Sequence, residues 1–109
     1  MGIPLHVTVR LNAGVPGLSY RNPTLKRGKH GYAYWVHMRL KTTLFTLFLE
    51  SNEDINVTGS REFDAVAYFM RDDLQLEEEA SELLKVAPQP ILNGHRQLGE
   101  IACKEDHHT

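Results

Sequence analysis

The chain has 109 residues, 41% hydrophobic and 24% charged, a composition that fits one small folded domain and excludes a collagen-like or wholly disordered polypeptide. No apolar run approaches the roughly 20 residues that span a bilayer, and Met1-Gly2-Ile3-Pro4 lacks the profile of a secretory leader, so a cytoplasmic protein without membrane contact is expected. The net charge of −2 conceals a split: the first 49 residues hold seven cations and no acid (+7), and the remainder sets five cations against all 14 acids (−9). Such a bipolar field bears on partners, and a basic, acid-free half points to an anionic one.

Along the chain, Leu5, Val7, Val9 and Leu11 alternate with His6, Thr8 and Arg10, as in a half-buried strand. Residues 12–17 break that strand, and Leu18-Ser19-Tyr20-Arg21 forms a short extended piece. Asn22-Pro23 and residues 24–31 make an irregular loop that carries Lys26, Arg27 and Lys29. From Tyr32 the alternation returns, with Tyr32, Tyr34, Val36, Met38 and Leu40 on one face and Ala33, Trp35, His37, Arg39 and Lys41 on the other. Residues 44–49 are β-prone and follow after Lys41-Thr42-Thr43, so the two segments are expected to form an antiparallel hairpin. Residues 51–59 read as a polar connection.

Ser60 suits a helix N-cap, with Glu62 and Asp64 in the favoured first turn. A helix over about 61–75 would align Phe63, Val66, Ala67, Met70 and Leu74 in one stripe. A second helical stretch over 76–86, apolar at Leu76, Ala80, Leu83 and Leu84, can continue it until Pro88 and Pro90. Residues 88–109 are expected to be a weakly ordered tail. The expected class is therefore α+β: a small antiparallel β-sheet of three to four strands, packed on one face by a C-terminal α-helix, in one domain over residues 1–87.

Several of these segments resemble the AP2-like DNA-binding domain of phages and mobile elements. Gly17-Leu18-Ser19-Tyr20-Arg21 is similar to the family's first strand, Tyr34-Trp35-Val36-His37-Met38-Arg39 to its second, and the segment ending near Phe48 to its third. Residues 59–74 are similar to its helix. The resemblance spans about residues 17–75 and implies three strands backed by one helix, with the open sheet face in the major groove of duplex DNA. It implies DNA contacts from Ser19, Arg21, Trp35, His37 and Arg39. Thr42, Leu44 and Thr46 take the outward third-strand positions. Lys26, Arg27, Lys29 and Lys41 add charge suited to backbone phosphates. On this reading the chain is a regulatory or recombination accessory factor.

Other chemistry is not expected. Six His residues and Cys103 show no Cys-x-x-Cys or His-x-x-x-His spacing, so neither a metal nor another cofactor is implied, and one Cys forms no internal disulfide. Asn56-Val57-Thr58 reads as a polar turn. No paired acids, Gly-rich phosphate loop or nucleophile motif suggests an enzyme. The alternative is a protein-binding module that docks on a host protein or a second copy through the Trp35 face or the acidic run of residues 72–82.

Overall fold

The computed structural model describes residues 4–40, 42–69 and 74–104, with backbone alone for 74–77. In chain order the elements are β1 Leu5–Leu11, β2 Ser19–Tyr20, β3 Arg27–Gly28, β4 Gly31–Leu40, β5 Thr43–Ser51, α1 Ile55–Thr58, β6 Glu62–Phe69, α2 Leu74–Val86, β7 Gln89–Asn93 and β8 Arg96–Cys103. Every pairing is antiparallel. The order β4-β5-β6-β1-β8-β7 returns to β4 through His37↔Leu92 and Met38↔Ile91, which closes a six-stranded barrel. Strands β4, β5 and β6 follow one another, and β1 returns beside β6, the arrangement of a Greek key. The short β2 and β3 lie outside the ring, on the edge of β4.

Strand alternation explains why the ring closes. Val7, Val9 and Leu11, then Tyr34, Val36, Met38 and Leu40, then Phe45, Leu47 and Leu49, all point inward and are buried, as do Phe63, Ala65, Ala67 and Phe69. A barrel of this size has no room for a channel, and its interior is filled by side chains. Ile91, Leu98 and Ile101 complete the lining. The two ends are stopped separately. Ala80 and Leu84 of α2 join the core at one end, where α2 packs on β8, and Ile55, Val15 and Leu18 join it at the other.

Three expectations are corrected. The fold is a closed, mostly β barrel, in place of an α+β sheet of three to four strands with a C-terminal helix on one face. The expected helix over 61–75 is largely strand β6. Its Phe63, Ala65, Ala67 and Phe69 are buried, and Glu62, Asp64, Val66 and Tyr68 face outward, because β5 and β1 flank it and bond both edges. Tertiary pairing outweighs the helix propensity of the two alanines. The architecture implied by the AP2-like resemblance is accordingly not the one found. Residues 88–109 are not a loose tail up to Lys104, since they supply β7 and β8. These strands turn at Gly94-His95, with Gly94 at φ 62, the left-handed value that tight hairpins require. Strand β1 and the β4–β5 hairpin match their expectations, as does helix over 76–86.

No helix among the described residues is long and apolar enough to cross a membrane.

Candidate functional site

The outer surface of β4, β5 and β6 carries a row of rings. Phe48 stands directly opposite Trp35 on β4 and Tyr68 on β6, and Ser19 of β2 extends the row past Trp35. Directly opposed residues on one sheet face bring their Cβ atoms to about 5 Å, so the three rings form a continuous strip. All three are half-buried. His37 meets the Trp35 ring edge-on at 5.1 Å between centroids.

The basic loop between β2 and β4 folds over this strip as a strap. The Arg21 guanidinium lies 4.3 Å from the Phe48 ring centre and the His30 ring stacks on Tyr68 at 5.7 Å. On the opposite, core-facing side of the same strands, the Lys26 ammonium sits over Tyr20 at 4.9 Å and the Arg27 guanidinium over Tyr32 at 4.8 Å. Each is a cation on a ring face, worth about 0.5–1 kcal/mol at an exposed site. Among the described residues, none of Arg21, Lys26, Arg27, Lys29 and Arg39 forms an ion pair with an acid.

Glu50 ties the strap down. It points outward from β5 but is only 3% exposed, because its carboxylate accepts the His30 backbone N–H at 2.8 Å under a roof made by Gly28. A side chain at Gly28 would place its Cβ 2.7 Å from that carboxylate, which explains the glycine. Burial and then the charge of Glu50 push the Tyr68 hydroxyl above its ordinary pKa. Among the described residues, the Tyr68 hydroxyl and His37 Nδ1 are buried without a hydrogen-bond partner, two polar atoms beside one aromatic strip.

A second network sets β2, and with it Ser19 and Arg21, against β4. The Asp54 carboxylate caps α1 by accepting from Asn56 N and also takes the Tyr20 hydroxyl at 2.7 Å and the Tyr34 hydroxyl at 3.2 Å. Tyr34 is fully buried, and its oxygen accepts the Ile55 N–H at 3.0 Å. Burial, reinforced by the Asp54 charge, drives its pKa far above the usual tyrosine value. The Asn56 amide brackets Leu18, donating to its carbonyl at 2.7 Å and accepting from its N–H at 2.8 Å.

Of the residues singled out from the sequence, the structure sets Ser19, Arg21, Trp35, His37 and Arg39 on the face of the strip, whereas Lys26 and Arg27 lie over Tyr20 and Tyr32, which face the other way, and Lys29 sits in the β3–β4 turn. Trp35 and His37 are half-buried, and the other six are exposed. Lys41 lies outside the described residues. Sequence reasoning missed Phe48, Tyr68, Glu50 and His30. The alternation through Leu44 and Thr46 continues to Phe48 and Glu50, so the third strand does present an aromatic ring. Tyr68 was hidden by the helical reading of its segment. Among the described residues no three His, Cys, Asp or Glu side chains gather in a way that could hold a metal ion. Comparison with protein-family models, curated proteins and solved structures gives no match.

Proposed function

We propose that the chain is a nucleic-acid-binding module that lays a single strand across the outer face of β4, β5 and β6. The carrying observation is the ring strip Trp35, Phe48 and Tyr68 with Arg21 over Phe48 and Arg39 on the same face of β4, two cations that no described acid neutralises. Single strands are held by this pairing of parts: cations follow the phosphates, and each base stacked on an aromatic ring contributes about 1–3 kcal/mol. Arg21 and His30 cover Phe48 and Tyr68, so an arriving base either displaces them or starts on Trp35, which carries no cation over its ring among the described residues.

A duplex is the poorer fit. Strands β4, β5 and β6 alone span roughly 10 Å before their side chains are added, and they are curved into a closed barrel, whereas the major groove is about 12 Å wide. The barrel body stays outside such a groove, which leaves only the strap to reach in. A flexible single strand follows the curved face and exposes its bases to the rings.

Trp35 is the only tryptophan, so its fluorescence reports on this face alone. Titration with an oligothymidylate is expected to quench it at low salt, with affinity falling steeply as salt rises, and a matched duplex is expected to bind at least about tenfold more weakly. Absence of binding to either form at low salt would overturn the reading, and tighter binding of the duplex would overturn its single-strand form.

A further inference from the structure

The strap carries one residue that the aromatic face does not use. Leu25 is 68% exposed, yet it is held in an ordered turn: the Asn22 side chain accepts the Thr24 N–H at 3.0 Å and the Leu25 N–H at 3.2 Å. Pro23 fixes the backbone between them. An apolar knob on a preorganised turn, followed directly by Lys26 and Arg27, loses little entropy on docking.

The shape that receives such a knob is present on the same molecule. At the α2 end of the barrel an open groove of about 720 Å³ is lined by Leu40, Leu83 and Val86 and bordered by Glu78, Glu79 and Glu82. Val86 is 82% exposed. Its floor is apolar and its rim acidic, with Glu82 also 3.5 Å from the exposed Lys85 ammonium, and the whole complements an apolar knob beside two cations. The two features cannot meet within one molecule. The strap joins β4 at Ala33 and the groove begins at Leu40, which at about 3.3 Å per residue puts them roughly 23 Å apart along the strand.

We infer that the occupant of the groove is a second copy of this chain, with Leu25 of one molecule seated against Leu40, Leu83 and Val86 of the next and Lys26 and Arg27 facing Glu78 and Glu82. The contact is small, so the association is weak and salt-dependent. It shares Lys26 and Arg27 with the basic strap of the nucleic-acid reading, but its apolar anchor Leu25 lies outside the ring strip.

Sedimentation of the full chain across protein concentration, up to about 1 mM, tests this. The wild type is expected to self-associate, and Leu25→Ser and the double variant E78K/E82K are each expected to weaken association at least about tenfold while keeping the wild-type circular dichroism spectrum. A K26E/R27E variant should also be monomeric alone, but mixed with E78K/E82K it should associate again, since the reversed tip then fits the reversed groove. A wild type that stays monomeric throughout, variants that associate as the wild type does, or a mixture that stays monomeric would each overturn the inference. Oligothymidylate binding by Leu25→Ser separates the two readings: it is expected to be unchanged, and its loss would place Leu25 in the strand-binding face instead.

Discussion

Cations on the two sides of the barrel meet different company. Where β1 lies between β6 and β8, Arg10 is 3.4 Å from Glu62 and Lys104 is 2.8 Å from Asp64, which also accepts the Thr8 hydroxyl at 3.3 Å. Across the barrel, on the β2–β5 side, Arg21, Lys26 and Arg27 lie over rings. Two acids on that side, Glu50 and Asp54, hydrogen-bond the His30 N–H and the Tyr20 and Tyr34 hydroxyls and form no ion pair with a described cation. Exposed ion pairs contribute only about 0–1 kcal/mol, so the difference matters little for stability. It matters for availability. Charge cancels locally on the first side and stays open on the second, and only an open field draws an anionic partner.

If that division is built by the acids' prior engagement, removing Asp54 has the largest consequence. Asp54→Ala uncaps α1, leaves the buried Tyr34 hydroxyl only the longer bond to the Glu53 carbonyl at 3.4 Å and frees Tyr20, the residue that seats β2 on β4. A missing cap costs about 1 kcal/mol and the loss of a buried hydroxyl's shorter bond about 1 kcal/mol, so urea unfolding is expected to show a decrease of about 2 kcal/mol in stability. A decrease under about 1 kcal/mol would mean that the aromatic side is held by packing and not by this carboxylate. The next effect is on binding. Arg21→Ala and Arg39→Ala are each expected to weaken oligothymidylate binding about tenfold and to make its salt slope shallower by about 0.7 for each phosphate that is no longer neutralised. Arg10→Ala and Lys104→Ala are expected to change it less than about twofold, being already neutralised by neighbouring acids. Equal weakening from both sides would erase the distinction.

Much of the aromatic side was legible in the sequence because alternation is a local signal. Trp35, His37 and Arg39 fall on one face of β4 whatever lies next to it, and the hairpin to β5 needs only the short break at 41–42. The barrel was not legible, for reasons carried by particular residues. In β6, Ala65 and Ala67 favour helix, and Ser60 with Glu62 and Asp64 imitates a helix start; only the flanking strands β1 and β5 make it a strand. In β7 and β8, Pro88, Pro90 and Gly99 look like loop residues. Yet β7 reaches β4 only at Ile91 and Leu92, so Pro90 has a partner on one side alone, the position in a sheet that tolerates proline. Gly99 is where β8 crosses closest to β1, against the Arg10 carbonyl. The partners that decide these segments lie far away in sequence, and the same distance hid Tyr68 and the role of Glu50.

The smallest expected effect tests the paired side directly. The Lys104 ammonium, hydrogen-bonded to Asp64 at 2.8 Å, holds that carboxyl below its ordinary pKa, with the Thr8 hydroxyl adding to the shift and slight burial opposing it. A carboxyl that is more acidic in the folded than in the unfolded chain stabilises the fold at pH values above its unfolded pKa of about 4. That contribution fades as the pH falls through the lower, folded value. Both side chains are more than half exposed, so solvent screening keeps it under about 1 kcal/mol. Wild type and Asp64→Asn are therefore expected to differ slightly in urea midpoint near about pH 6 and to converge toward about pH 2, with added salt shrinking the gap at the higher pH. A gap that stays constant over this range would trace the difference to packing or hydrogen bonding and not to charge. The cations beside β1 would then be as unneutralised as those on the strap, and pairing with acids could no longer explain why one side of the barrel draws an anion and the other does not.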